Sequence, residues 1–402
     1  MSLDLIPETY RIAMVAACPL PYDRGTPIRI FRMAEALAQQ GCDVHVFTYH
    51  LGTITAEEEK GLPFRVHRIR KVPTYNKYSP GPSPQKLLVL DLLLYNKLNR
   101  LVPQFNFDLI HAHHYEGLTL GLLMRKRRGL PVIYDAHTLL ESELHYYMKI
   151  LPEKGLRQLG LALDKLLPIR ADHIIAVTPE IRAKLITEAC VRPDCVSVIM
   201  NGVETEHFDH LSCDPQRDPS IKKIVYAGNL GKFQGITHLL KIFGRIVNQR
   251  KNVRLQIITS SSFEPYLPLA RRLRIEPKID IMRASFEKLP EYLKCADLVL
   301  NTRVECDGIP QKVLNYMAAG RPVISFKGSA KIIEHKKTGY IVENGDYEEF
   351  VKSVFLLLDN REMAETLGEN ARKFIDEKFS WPGKAREIMA VYGRVLKRNQ
   401  AI

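Results

Sequence analysis

Two stretches carry the residue types that chemistry on an anionic ligand requires. GNLGKFQG (228–235) sets three glycines around Lys232, and DGIPQKVLNYMAAG (307–320) runs from Asp307 through a Gly-Ile-Pro turn into a helical pattern carrying Lys312. Glycine lets a ligand approach backbone amides, and a helix start offers unpaired N–H groups at the positive end of its dipole. Both stretches therefore suit a phosphate-bearing ligand. GNLGKFQG fits neither the P-loop nor the GxGxxG pattern, so its flexible backbone and Lys232 would have to hold phosphate without those frameworks. RGTP (24–27) is a third such place: Thr26 can cap a helix whose first position is Pro27, and Gly25 leaves the backbone open. An ordinary helix start reads the same way.

The strand-like runs FDLIHAH (107–113) and PVIYDAH (131–137) end in His113, with His114 next to it, and in His137. Successive strand ends of a parallel sheet open into one crevice, which would bring these rings to a ligand; a hydrogen-bonded structural role is the simpler alternative. A zinc site needs a further ligand at suitable geometry, and no HExxH, cysteine cluster or D-x-D sequence occurs, so no metal is expected.

The elements that must position these residues alternate. Short apolar, β-rich runs begin at 11, 43, 107, 131, 173 and 196 and resume at 223, 253, 296 and 322. Helical spacing lies between them, as in IRIFRMAEALAQQG, where Ile30, Met33, Ala34, Leu37 and Ala38 share a face. Strand and helix in alternation imply parallel sheets covered on both faces, with functional loops at the carboxyl ends of the strands. The pattern restarts: MVAACPLPYDRGTPIRIF and IVYAGNLGKFQGITHLL are both strand, glycine-containing loop and helix, with a polar, turn-rich stretch at 201–223 between them. We therefore expect two Rossmann-like, doubly wound α/β domains facing across a cleft.

Length and composition agree. At 402 residues, with 46% hydrophobic and 26% charged residues, the chain is globular and too long for one ordinary core. The net charge of +13 divides into +5 over residues 1–200 and +8 over the rest, so it is a property of both halves rather than of a tail. It favours phosphorylated ligands, anionic membranes or nucleic acid. Nucleic acid is the weakest of these, because the basic residues are not interleaved with aromatics in a recognisable module. Seven cysteines without CxxC spacing suggest reduced thiols and a cytoplasmic protein. No secretory leader and no apolar run of about 20 residues is visible.

In order and spacing, GTPIRIFRMAEALAQQGCDVHVFT, FDLIHAH, GLPVIYDAHT, ADHIIAVT, VIMNGVETEHF, IVYAGNLGKFQG and DGIPQKVLNYMAAGRPVI resemble the glycosyltransferases of family 4, over nearly the whole chain. The resemblance implies a GT-B fold and a retaining, metal-independent enzyme that moves a hexose-type sugar from a nucleotide diphosphate donor. It implies an acceptor domain over 1–205, with the tail 381–402 packing back on it, and a donor domain over 206–380. Asp307 and Asn315 fall on the two acidic positions of the family's E-x7-E clamp, Asp307 toward the transferred sugar and Asn315 toward the ribose. His137 matches a histidine that contacts the sugar. Gly308, Ile309 and Pro310 line the sugar and phosphate, and Arg283 and Asn201 border the nucleotide. Where the family carries Arg and Lys to neutralise the diphosphate, this chain has Asn229 and Gln234; Lys232 and Lys312 are the nearby cations. Branches with similar substitutions act in polysaccharide or glycoconjugate assembly, and a nucleotide-sugar-binding pseudoenzyme is the alternative.

The acceptor is less legible. PQKLLVLDLLLYNKLNRLV (84–102) is strongly apolar, and Lys86, Lys97 and Arg100 lie 11 and 14 residues apart, about three and four helical turns, which puts them on one face. This is either a core helix or a membrane-surface helix that would receive a lipid-linked acceptor on the inner face of the plasma membrane. RVHRIRK (65–71) and RKRR (125–128) would add basic surface. A small soluble acceptor is the other possibility. Glu141 and Glu143 would orient it or simply form a solvated helix face.

Overall fold

The computed structural model describes residues 9–22, 25–78, 83, 85–147, 152–209, 211, 218–283, 288–306 and 309–400. The chain forms two compact units, Met1–Asn201 with Trp381–Ile402, and Gly202–Ser380. The first unit holds a seven-stranded sheet of β1 (Arg11–Ala16), β2 (Asp43–Thr48), β3 (Arg65–Arg68), β4 (Leu109–His113), β5 (Val132–Ala136), β6 (His173–Ala176) and β7 (Val196–Val198), in the order β3-β2-β1-β4-β5-β6-β7. The second holds β8 (Lys222–Ala227), β9 (Val253–Ile258), β10 (Ile279–Met282), β11 (Leu298–Asn301), β12 (Val323–Phe326) and β13 (Tyr340–Val342), in the order β10-β9-β8-β11-β12-β13. The ladders in both sheets are parallel. In each, the order reverses beside the first strand, between β1 and β4 and between β8 and β11. Crevices for ligands open there, at the carboxyl ends.

Helices cover both faces, so central strands are buried on both sides rather than alternating; β4, β5 and β6 are buried along their whole length, their His111, His113, Asp135 and His173 included. The helices needed below are α1 (Gly25–Gln39), α2 (Asp91–Phe105), α3 (His114–Arg128), α4 (Ile236–Gln249), α5 (Gln311–Ala318) and α6 (Trp381–Gln400). Ile30, Met33 and Leu37 of α1 and Trp381, Ile388 and Tyr392 of α6 share one core with Ile12 and Met14 of β1. The C-terminal helix thus belongs to the first unit. The helix at 25–39 begins at Gly25, so Thr26 and Pro27 lie inside its first turn and Thr26 is not the cap.

Several expectations are corrected. RVHRIRK does supply basic surface through the exposed Arg65, Arg70 and Lys71, but its first four residues are β3, and Arg68 is consumed by Glu59 and the carbonyls of Leu20 and Leu51. Lys86 does not share a face with Lys97 and Arg100. A π-helical segment, Lys86–Leu90, precedes α2, and its wider turn shifts the phase so that Lys86 is buried while Arg100 is exposed. The cysteines are not all thiols: Cys295 is disulfide-bonded, whereas Cys18, Cys42, Cys190, Cys195 and Cys306 are free. No local spacing announces a bridge formed by chain folding. Among the described residues, no helix is long and apolar enough to cross a membrane.

Candidate active site

In the second unit the glycine loop leaves β8, makes a single 3-10 turn over Lys232–Gln234 and enters α4. Gly235 has φ +75°, and a Cβ there would fall 2.0 Å from the carbonyl oxygen of Thr302. Thr302 Oγ1 donates to the Gly235 carbonyl at 3.0 Å, which ties the loop to the end of β11. A bulkier residue at 235 would lift the loop off its floor.

Lys312 lies beneath this loop. It sits in the first turn of α5, 9% exposed, and its Nζ donates to Gln234 Oε1 at 2.7 Å and to Tyr226 Oη at 2.9 Å. One turn further on, Tyr316 Oη accepts from the Ala227 amide and donates to the Ala227 carbonyl, fixing α5 against the end of β8. Burial pushes Lys312 down to about 7, with Arg303 adding to the shift and Cys306 opposing it. Its partners among the described residues are neutral. A buried ammonium without a carboxylate is held at a cost that an incoming anion would remove.

Asn315, on the same face of α5 as Lys312, is also buried. Pro310 is buried and Ile309 half-buried before the helix. Asn229 Oδ1 accepts from the Gly231 amide, so it shapes the loop, and Lys232 is exposed. Arg283 is exposed just beyond β10. Asp307 and Gly308 lie outside the described residues. Sequence reasoning missed Tyr226 and Tyr316, whose tyrosine hydroxyls have no spacing signal; only the fold shows that they hold the lysine and its helix.

At the switch point of the first unit, α1 aims Arg29 into the sheet. Its Nη2 and Nε donate to the two oxygens of Asp135 on β5 at 3.0 and 3.2 Å, and its remaining donors reach the Ile199 carbonyl and Asn201 Oδ1. Asn201 is therefore committed within this unit. Burial would raise the Asp135 carboxyl, but Arg29, His137 and His111 outweigh it and hold the acid well below the usual carboxylate range. Neither Arg29 nor Asp135 was singled out from the sequence, because an isolated arginine on a helical face gives no motif.

Three histidines surround the pair. His137 Nε2 stands 3.4 Å from Asp135 Oδ1 and 3.1 Å from His113 Nδ1, and His111 Nδ1 is bonded to Tyr392 Oη of α6 at 2.6 Å. His113 and His137 are thus brought together, as expected for neighbouring strand ends. Burial depresses both rings well below the ordinary histidine range, for His137 against the opposing pull of Asp135. Among the described residues, His113 Nε2 is buried without a hydrogen-bond partner, and His111 Nε2 stands 3.6 Å from Asp135 Oδ2, beyond hydrogen-bond length. Ligand atoms of His111, His113 and Asp135 lie within 4.8 Å of one another, a spacing that would admit a metal ion. Asp135 is already forked by Arg29, whose charge opposes a cation there. Glu141 pairs with Arg157 at 3.1 Å.

The family model described as Glycosyltransferase Family 4 matches residues 24–207, and that described as Glycosyl transferases group 1 matches residues 221–360. The D-inositol 3-phosphate glycosyltransferase of Corynebacterium aurimucosum is 24% identical over 417 residues, covering 96% of each chain. Sucrose-phosphate synthase from Thermosynechococcus elongatus superposes with a TM-score of 0.74 at 17% identity, covering 97% of this chain and all of that one. Anabaena HepE in complex with UDP gives 0.70 at 16% identity, covering 96% of this chain and 100% of that one. These likenesses establish the two-unit GT-B fold.

Proposed function

The chain belongs to the family 4 type of glycosyltransferases, and from that premise we propose that it moves a hexose-type sugar from a nucleotide diphosphate donor to an acceptor hydroxyl, with retention and without metal. The observation that carries the reading is Lys312, a buried ammonium with neutral described partners under a glycine loop at a strand-end crevice. A diphosphate supplies the counter-charge that this lysine lacks among the described residues. Lys232, exposed in the same loop, and the start of α5 add to it. The UDP bound by HepE supports the same donor class.

In this reading the bond between the anomeric carbon and the phosphate oxygen breaks, and the acceptor oxygen attacks on the same face. The acceptor proton passes to the departing phosphate oxygen, so no side-chain base is required. Asp307 faces the sugar, Asn315 the ribose, and His137, kept neutral by burial, contacts the sugar without acting as a base. Catalysis is then positional and electrostatic. The first unit takes the acceptor. The exposed Leu87, Leu88, Val89 and Leu92 suit a lipid-linked precursor at a membrane surface.

Incubating the protein with a panel of nucleotide sugars, with and without lipid-linked and soluble acceptors, tests this. Nucleotide release only when donor and acceptor are both present, lost in Asp307→Ala, is the expected result. Tight donor binding with no transfer to any acceptor would identify a nucleotide-sugar-binding pseudoenzyme instead.

A further inference from the structure

A cavity of about 650 Å³ opens in the first unit beside Asp172, Ile174 and Cys195, which stand at the amino ends of β6 and β7. The strands are parallel, so this is the opposite end of the sheet from the crevice between β1 and β4. Its volume lies within the range of small-ligand sites. Five cations line it, Arg125, Lys126, Arg170, Arg192 and Arg398, against the single acid Asp172.

Part of that charge is structural. Arg125 donates to the Arg170 carbonyl at 2.6 Å, Arg170 donates to the Leu166 carbonyl, and Asp172 is shared between Arg125 at 3.3 Å and the Val132 amide at 2.7 Å. These contacts satisfy helix ends and a strand start. Arg192 and Arg398 are different. Their guanidinium groups converge on one sulfur, Cys195 Sγ, at 3.0 and 3.7 Å. A cysteine sulfur is a weak hydrogen-bond acceptor. Asp194 stands 4.0 Å from Arg192 and 3.9 Å from Arg398, at the limit of pairing, and is itself largely exposed. Two like charges are therefore held side by side in a cavity whose lining also includes Val191, Val395 and Lys126. Planar guanidinium forks so disposed match the oxygens of a phosphate group.

We propose that this cavity binds a phosphate-bearing anion between Arg192, Arg398 and Lys126, at a site separate from sugar transfer. The anion is either a soluble phosphorylated molecule or the headgroup of an anionic lipid, since both present the same oxygens.

The test is calorimetric titration of the full chain with inorganic pyrophosphate, in wild type, Arg192→Gln/Arg398→Gln and Lys312→Met. The wild type should show two classes of site. The double variant should weaken one by at least about tenfold and keep the other, while Lys312→Met should do the reverse. Thermal unfolding checks that each variant is folded, which these largely exposed arginines favour. An isotherm of the double variant that superposes on wild type, or loss of all binding in Lys312→Met alone, overturns the proposal. Sedimentation with phosphatidylglycerol vesicles identifies the source. Vesicle binding weaker in the double variant and competed by pyrophosphate indicates a headgroup; pyrophosphate binding here with equal vesicle binding in both proteins indicates a soluble anion.

Discussion

Lys312 Nζ reaches Gln234 Oε1 at 2.7 Å, so a side chain from α5 meets the glycine loop at the position where the resembled family places a lysine. The chain lacks a cation at 234 but has one directly underneath. Charge need not come from the same segment to act on the same phosphate; it need only lie within a few ångströms in a site of low dielectric. In the proposed reading, the relocation explains why a glutamine is tolerated in the loop. It also explains why Tyr316 is bonded to Ala227, since that bond holds the lysine's helix in place.

Lys312→Met should weaken binding of a nucleotide diphosphate sugar by at least about tenfold, and should raise the Tm of the unliganded protein near neutral pH. The pH dependence has a definite sign. The folded pKa of about 7 lies below the unfolded value of 10.5, so the unfolded chain binds more protons between them. The buried charge therefore costs stability fully below pH 7, and the cost is relieved as pH rises toward 10.5. Donor binding needs the charged form, so wild-type affinity should fall as pH rises above 7. The variant should lack both trends. Calorimetric titration and thermal unfolding at pH 6, 7.5 and 9 check them, and parallel profiles in the two proteins would remove Lys312 from the donor site.

The Arg29–Asp135 pair should behave as a buried ion pair. Removing one partner strands the other, so Asp135→Ala should destabilise the first unit by about 3–5 kcal/mol. Arg29→Met/Asp135→Leu should cost clearly less, because neither charge remains. The folded carboxyl is depressed below its ordinary 3.8, so the pair's contribution is present above that pH and is lost as pH falls below it. Urea unfolding at pH 7 and pH 3 reads all of this, and equal costs for the single and double variants would contradict the argument.

Chelation should leave activity and Tm unchanged. The His111, His113 and Asp135 ligand atoms are close enough for a metal, but both oxygens of Asp135 are engaged by a guanidinium. Lysine charge and backbone amides are expected to neutralise the diphosphate. Dialysis against EDTA followed by activity assay and elemental analysis decides; a loss restored by zinc would assign His111 and His113 to an ion.

The doubly wound order and the strand-end loops were legible because parallel sheets leave continuous apolar runs and glycine-marked turns. β3, β10 and β13 were not: RVHR reads as a charged patch, and IDIM and YIV are too short for periodicity. His113 and His137 could be placed together because neighbouring strand ends are a topological consequence. Arg29 and Asp135 could not, since their pairing spans 106 positions and rests on α1 packing over the sheet. The misplaced Lys86 has a narrower cause. Helical phase was extended through a segment whose π turn breaks it, and one extra residue in a turn moves a side chain by about a quarter of the circle.

That phase shift changes how membrane binding must be tested. With Lys86 buried beside Asp91 and Glu116, replacing Lys86, Lys97 and Arg100 by Glu would place a carboxylate in the core and confuse misfolding with lost contact. The surface that remains is apolar: Leu87, Leu88, Val89 and Leu92 are 47%, 72%, 41% and 56% exposed. Burying one such side chain fully is worth about 1.5–3 kcal/mol. Leu87→Ser/Leu88→Ser should therefore reduce sedimentation with anionic vesicles by at least about tenfold while leaving circular dichroism unchanged. The basic contribution near anionic lipid, about 1 kcal/mol per residue, fades with salt, whereas the leucine contribution does not. A wild-type salt series should accordingly fall to a plateau that the double variant lacks. Sedimentation of neither protein at any salt would end the membrane reading and assign the acceptor to solution.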